Sequence, residues 1–435
     1  MNMIKYTLLT VFILGLTGLF AQQTPGANQN ETISITGATL HLGNGQVIEK
    51  GTLVFSDGVL SEIGNADDVQ AKGNVIEATG KHVYPGFILA NSSLGLGEID
   101  AVRATRDFDE LGSFLPHVRS LIAYNAESKV VESMRPNGIL MAQIAPRGGR
   151  ISGTSSIVQL DAWNWEDAAV KTDDGLHMNW PNTYQTKYFS FGSVRISGAN
   201  EDYQKQVIEL RDYLNQARAY GEISTPKERN LPFEAMQGVF SGNTRFYIHA
   251  KREKEIRDAL DLVEEFKIEN AVLVGGHEAY KVMDLIKKHN IPVIVSRVHS
   301  LPLQEDDDYD RPYKNAAELF RNGILVTLEN SGQMERMNGR NLPFYAGTVS
   351  SFGLNDEEAL SLITLNPAKI LGIDDRYGSL EKGKSATLFI SDGNPLDMRT
   401  NNLTRAFIDG REISLETHQT ELWKRYMGKF EATSD

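Results

Sequence analysis

From residue 31 the chain reads ETISITGATLHLGNGQVIEKGTLVFSDGVLSEIG, with apolar and polar residues alternating between Gly-rich turns. That period of two predicts successive short antiparallel strands. The same style returns in GSLEKGKSATLFISDGNPLDMRTNNLTRAFIDGREI (378–413), where ATLFI and TRAFI are set off by Ser-Asp-Gly and Asp-Gly turns. Two β segments flanking a long middle predict one small β-sandwich built from both ends, over 32–86 and 373–415, with 416–435 as a C-terminal tail.

Inside this bracket, over 87–372, the pattern becomes strand followed by helix. TRFYIHA (244–250) is β-rich, and the next stretch places Ile256, Leu260, Val263 and Phe266 on one helical face. NAVLVG, an amphipathic HEAYKVMDLIKKHN, IPVIVS, then KNAAELFRNG leading into ILVTLEN continue the alternation. Strands apolar on both faces and spaced by helices predict parallel βαβ units. An open doubly wound sheet would show the same pattern, but the β bracket favours an α/β fold of the (β/α)8 TIM-like barrel type.

The first 21 residues read as a signal peptide: Lys5, an apolar run from Tyr6 to Phe20, and a cut before Gln22. Residues 22–31 read as a flexible linker. The expected location is therefore exported, periplasmic or extracellular, with no stable membrane insertion after cleavage. The chain has 435 residues, enough for a barrel of ~250 residues and a companion. Lys and Arg number 44 against 57 Asp and Glu, a net charge of −13, which argues against nucleic acid as a partner. Cysteine is absent, so neither a disulfide scaffold nor a thiolate site is available.

Two stretches carry a family resemblance. GKHVYPGFI (80–88) resembles the lead-in to the first barrel strand of amidohydrolase-superfamily enzymes. The segment with Thr364, Asn366, Pro367, Ala368, Leu371 and Gly372, followed by Gly378, Leu380, Gly383 and Ala386, is similar to the closing segment of imidazolonepropionase-like and dihydroorotase-like amidohydrolases. Thr387 stands where that family usually has Asp. The resemblance implies a hydrolase acting on carbon–nitrogen but not peptide bonds, such as those of cyclic amides. It also implies one or two divalent metals held by strand-end His, Lys or Glu and Asp, which lower the pKa of bound water.

Carried over residue by residue, that metal set is degenerate. Asn91 and Ser93 occupy the first-strand histidine positions and Leu89 that of the preceding Asp. His249 matches the fifth-strand histidine, although a core or strand-end histidine would look the same. His277 lies one or two residues past the sixth-strand position, where it equally suits a helix cap. Asn330 and Ser331 stand where the eighth strand should end in Ser-Asp, beside Glu329, whose longer side chain is the remaining candidate base; a loop carboxylate is the blander account. His299 follows the seventh strand. The fourth-strand Lys or Glu is not identifiable.

Three readings follow. One is an exported hydrolase with a reduced site of His249, His277 and Glu329 on one metal, zinc being the expected ion. Another is a catalytically inactive relative binding a small molecule through Asn91, Ser93, His299, Asn330 and Ser331. The third is a subunit pairing with an active, metal-complete amidohydrolase, or with itself. PRGGRISGTSS (146–156) lacks either phosphate-binding spacing and reads as a loop over the barrel mouth. Trp163, Trp165 and Trp180 suit core or loop packing better than a ligand wall.

Overall fold

The computed structural model describes residues 24–188, 195–332 and 334–431; the expected signal peptide lies outside them. Strands β1 (Ile33–His41), β2 (Val47–Ser56), β3 (Val59–Asn65), β4 (Asn74–Glu77) and β5 (His82–Pro85) come first. The second sheet takes β6 (Phe87–Ser92), β7 (Ile139–Ile144), β8 (Ile151–Gln159), β9 (Ala169–Asn179), β12 (Arg245–Ala250), β13 (Ala271–Gly275), β14 (Val293–Val295) and β15 (Val326–Leu328). Strands β10 (Tyr184–Tyr188) and β11 (Arg195–Ala199) form a separate hairpin, and β16 (Leu388–Ser391), β17 (Leu403–Ile408) and β18 (Arg411–Ile413) return to the first sheet.

The two chain ends do build one small β unit. It is a single sheet ordered β18-β17-β16-β5-β1-β2-β3, with β4 beside β1, and β5 pairing antiparallel with β16 joins the N- and C-terminal parts. Alternation puts Ile35, Leu53, Phe55, Leu388, Ile390 and Phe407 into one buried cluster. The Phe55 and Phe407 rings meet edge-on at 5.3 Å, an arrangement worth about 0.5–1.5 kcal/mol beyond the area it buries. Asp161 ties this unit to the barrel: it accepts from Arg135 at 2.6 Å, Arg411 at 3.1 Å and the Gly26 N–H at 2.8 Å.

The second sheet is the barrel. Its eight strands run in the order β6-β7-β8-β9-β12-β13-β14-β15, and a parallel bridge between Ala90 and Glu329 brings the edges together. Ile88, Ala90, Met141, Ile157, Tyr247, Val272, Val274 and Ile294 fill the interior, as a closed barrel of this size requires.

One strand departs from the βαβ rule. β8 runs antiparallel to both β7 and β9, while the other pairings are parallel. PRGGRISGTSS is therefore a loop only as far as residue 150, where Gly148 and Gly149 (φ +83° and +59°) turn the chain. From Ile151 it is buried barrel strand. Part of the 93–138 connection runs beside 147–154, through bridges at Asp109–Arg147, Phe114–Ile151 and Arg119–Thr154. Gly153 permits this approach, since a Cβ there would lie 2.5 Å from the Val118 carbonyl oxygen.

Helices α1 (Tyr203–Gly221) and α2 (Leu231–Phe240) lie between β11 and β12, and α3 (Glu253–Phe266) follows β12. On α3 the expected face, Ile256, Leu260, Val263 and Phe266, is buried. The helix expected over 277–290 is shorter: a 3-10 turn at Ala279–Lys281, then α4 (Met283–Lys288). Val282, at φ −131° and ψ 24°, lies outside the helical region and separates the two. After β14 come α5 (Arg311–Arg321), α6 (Leu342–Ser351) and α7 (Leu365–Leu371), the last closed by left-handed Gly372. The tail forms α8 (His418–Glu431), whose first N–H groups include one donated by His418 to Glu132 at 2.7 Å. No helix among the described residues is long and apolar enough to cross a membrane.

Candidate site at the barrel mouth

Strand ends and the loops after them form the mouth of a barrel. Asn91, next to last in β6, lies in the left-handed region, φ +47°. Its backbone N–H donates to Gln143 Oε1 at 3.0 Å, and Gln143 in turn donates to the buried Asp174 carboxylate at 3.0 Å. Ser155 and Tyr247 also donate to Asp174, each at 2.7 Å. Burial pushes the Asp174 carboxyl up, against the pull of these donors and of the Lys171 and Arg245 charges. This network fixes the backbone from which Asn91 works.

The Asn91 side-chain amide donates to Glu329, and Ser331 donates to the other Glu329 oxygen at 2.5 Å. Glu329 is 1% exposed. Burial raises its pKa to about 7, with Ser331, Asn91 and the Arg147 charge pulling it back and Glu335 adding to the rise. The carboxyl therefore exchanges a proton near neutrality.

The β7–β8 hairpin delivers Arg147 to the same place. Its guanidinium donates to Asn91 Oδ1 at 3.1 Å, to the Asn91 carbonyl at 2.8 Å and to Glu335 at 3.0 Å. Glu335 also accepts from the Ser93 N–H at 3.1 Å and from the Ser93 hydroxyl. The two positions that should carry first-strand histidines thus lie in the grip of a guanidinium and a carboxylate.

On the opposite wall, β9 and β12 bring His177 and His249 together, Nδ1 to Nε2, at 2.9 Å. The His177 ring stacks on Tyr247 at 4.6 Å, and its Nε2 is buried without a hydrogen-bond partner. Burial, with the His249 and Arg147 charges, holds His177 well below the usual histidine range. Burial, with Arg147 and Lys251, brings His249 down to about 3. Both rings are neutral at physiological pH.

The other sequence candidates are dispersed. His277 shares a 3.2 Å hydrogen bond with Ser296, and burial, with Lys251 and Arg252, lowers it to about 4. His299 is exposed and bonds Thr348 at 2.7 Å, its ring edge-on to Tyr345 at 4.7 Å. Asn330 accepts from Tyr345 at 2.6 Å and donates to the Glu335 carbonyl at 2.8 Å. Trp180 is core, bonded to Tyr203 at 3.0 Å, and Trp163 is exposed. Of the Lys and Glu side chains that could have stood for the unidentified fourth-strand ligand, Lys171 caps the Leu371 and Gly372 carbonyls and Glu234 pairs with Arg229.

The expected single-metal set of His249, His277 and Glu329 is not assembled. A His249 nitrogen is spent on His177, His277 leans on Ser296, and both Glu329 oxygens are taken. Among the described residues no group of three or more His, Cys, Asp or Glu side chains is placed to hold a metal ion. The Arg147 guanidinium lies close enough for its charge to act on both His249 and Glu329, and a fixed cation repels a second one. The residues present do not fit the family's metal. Arg147, His177 and Glu335 were missed at the level of sequence; the run GLHMN did hold His177 at the end of an alternating strand.

A model of the amidohydrolase family matches residues 314–413. The chain is 22% identical over 379 residues to a 5'-deoxyadenosine deaminase of Methanobrevibacter smithii, covering 80% of this chain and 81% of that one. To an imidazolonepropionase of Clostridium tetani it is 23% identical over 400 residues, covering 80% and 86%. The crystal structure of an amidohydrolase from Thermotoga maritima superposes with a TM-score of 0.74 at 26% identity, over 88% of this chain and 99% of that one. Barrel, two-ended β unit, closing segment and relatives agree in making the chain similar to amidohydrolase-superfamily proteins over most of its length.

Proposed function

We propose that the barrel mouth binds a small molecule of the kind that family hydrolases process, one carrying a non-peptide carbon–nitrogen bond such as that of a cyclic amide, without metal-driven turnover. The observation that carries this reading is Arg147, bonded to Asn91 and to the carboxylate on Ser93, where the family resemblance calls for imidazoles. Arg147 supplies bidentate donors for a carbonyl or carboxylate oxygen. Glu329 supplies a carboxylate lone pair as acceptor for an N–H, and the Asn91 amide N–H beside it a donor for a neighbouring oxygen. The test is melting temperature across a panel of lactams, cyclic ureides and blocked dipeptides. A saturable rise that the R147M variant loses supports the reading; no response to any compound overturns it.

A second reading is favoured by Glu329 alone. A buried carboxyl with a pKa of about 7 suits general-base catalysis at neutral pH. In that reading Glu329 takes a proton from water as its oxygen bonds to the carbonyl carbon, then returns that proton to the nitrogen as the C–N bond breaks. Product release that survives chelator and is lost in E329Q distinguishes it from binding alone. For either reading the N-terminal pattern supports an exported protein, which a mature chain beginning at Gln22 would bear out and a retained Met1 would refute.

A further inference from the structure

The mouth contains a complete receptor for one carboxylate oxygen, and the chain itself fills it. Glu335 Oε1 accepts from the Ser93 backbone N–H, the Ser93 hydroxyl and the Arg147 guanidinium. Arg336 donates to the Ser93 oxygen at 3.2 Å. The lone hydroxyl proton of Ser93 is therefore free to point at the carboxylate. Backbone N–H, hydroxyl and guanidinium converging on one oxygen make a charge-assisted oxyanion cradle. It lies beside Asn91 and Glu329, inside the site read above as a ligand pocket.

We infer that this cradle is the carboxylate subsite of the barrel mouth, that its proper occupant is a small carboxylate-bearing ligand, and that Glu335 is a built-in stand-in which such a ligand displaces. The inference rests on the reading of the mouth as a small-molecule site and names the ligand's class.

Two observations make Glu335 a displaceable occupant. Among the described residues its second oxygen accepts one long contact, 3.3 Å, from the Gly332 N–H, whereas three donors meet the oxygen in the cradle. Glu335 and Glu329 already share the Arg147 charge. A third carboxylate added to this pair would be repelled, whereas one that replaces Glu335 leaves the charge balance unchanged. If Glu335 occupies the cradle in ~99% of molecules, an external carboxylate binds about 100-fold more weakly than to an open cradle.

The experiment uses the mature chain with sodium acetate as the probe and sodium chloride at equal ionic strength as the control, read by calorimetric titration and melting temperature. E335A should bind acetate about 10- to 100-fold more tightly than the parent, and R147M/E335A should lose that gain. E335Q keeps the side chain's shape while giving up its charge, and it serves if E335A does not fold: acetate should bind it more tightly than the parent too. Acetate no better than chloride on the folded variant, or equal binding to R147M/E335A, overturns the inference. The cyclic-amide panel reports on the parent independently. Neutral compounds that shift the parent, with no acetate binding to E335A or E335Q, remove the carboxylate subsite alone. Acetate binding without any panel response removes the wider reading and leaves the subsite.

Discussion

His177 and His249 meet on the neighbouring strands β9 and β12 with 2.9 Å between Nδ1 of the first and Nε2 of the second. One ring nitrogen donates and the other accepts, and burial together with the Arg147 charge keeps both imidazoles neutral. Both rings titrate below the ordinary value of 6.5, His249 at about 3.

The sign of the resulting pH effect is fixed. Below 6.5 the unfolded chain takes up protons that the folded pair refuses, so this contribution is whole above 6.5 and shrinks as pH falls towards 3. The loss is about 1.4 kcal/mol per pH unit for each ring. Melting temperature between pH 7 and 4 should fall, and H177Q/H249Q should flatten the slope. An unchanged slope would contradict the neutral pair.

Glu329 acts in the opposite direction. Its pKa lies at about 7 against an ordinary 4.5, so its contribution is whole below 4.5 and is lost as pH rises through 7. E329Q, which stays neutral, should gain on the parent by a few kcal/mol at pH 8 and by little at pH 5. Denaturant unfolding at the two pH values measures this. Together with the histidine pair it sets a stability optimum near pH 6 to 7.

Removing the guanidinium leaves partners behind. R147M strands the Asn91 carbonyl and the Glu335 carboxylate, and since Arg147 is about a fifth exposed the cost should be about 2–3 kcal/mol, under the ~3–5 of a fully buried pair. R147M/E335Q should be less destabilised than the sum of its single changes, because the stranded charge is gone. Chemical denaturation of the four chains closes that cycle.

Restoring the first-strand histidines alone should not restore a metal centre. N91H/S93H still presents Arg147 to any incoming ion, and elemental analysis should find under about a tenth of an equivalent of zinc. N91H/S93H/R147M removes the standing cation and should bind measurably more. Equal zinc in both proteins would show that Arg147 is not the obstacle.

The two-ended β unit and the parallel strands from β12 onward were legible because their residues alternate or run apolar in the way the final pairing demands. Ile256, Leu260, Val263 and Phe266 marked α3 for the same reason. β8 was not legible, since its buried Ser152, Thr154, Ser155 and Ser156 give it the composition of a loop; these side chains are satisfied by barrel neighbours and the ribbon at 106–119. Asn91, Ser93, Glu329 and His249 were found because each sits at a strand end that the sequence locates. Arg147 and Glu335 lie in connections, and only the barrel's closure decides which connection leans over the mouth. His277 was placed by spacing alone, one or two residues past the expected position, and it bonds Ser296 instead.

The reversed β8 also bears on how the barrel comes to exist. Strands β7, β8 and β9 form a meander of near neighbours in the chain, joined without a long crossover, so their pairing closes short loops and costs little chain entropy. The seam between β6 and β15 is the other extreme: Asn91 and Glu329, which meet across it, are 238 residues apart. Contacts of such long range are slow to form. The wall carrying His177 can therefore form early, whereas the Asn91–Glu329 bond and the pocket around it exist only after the last strand has docked.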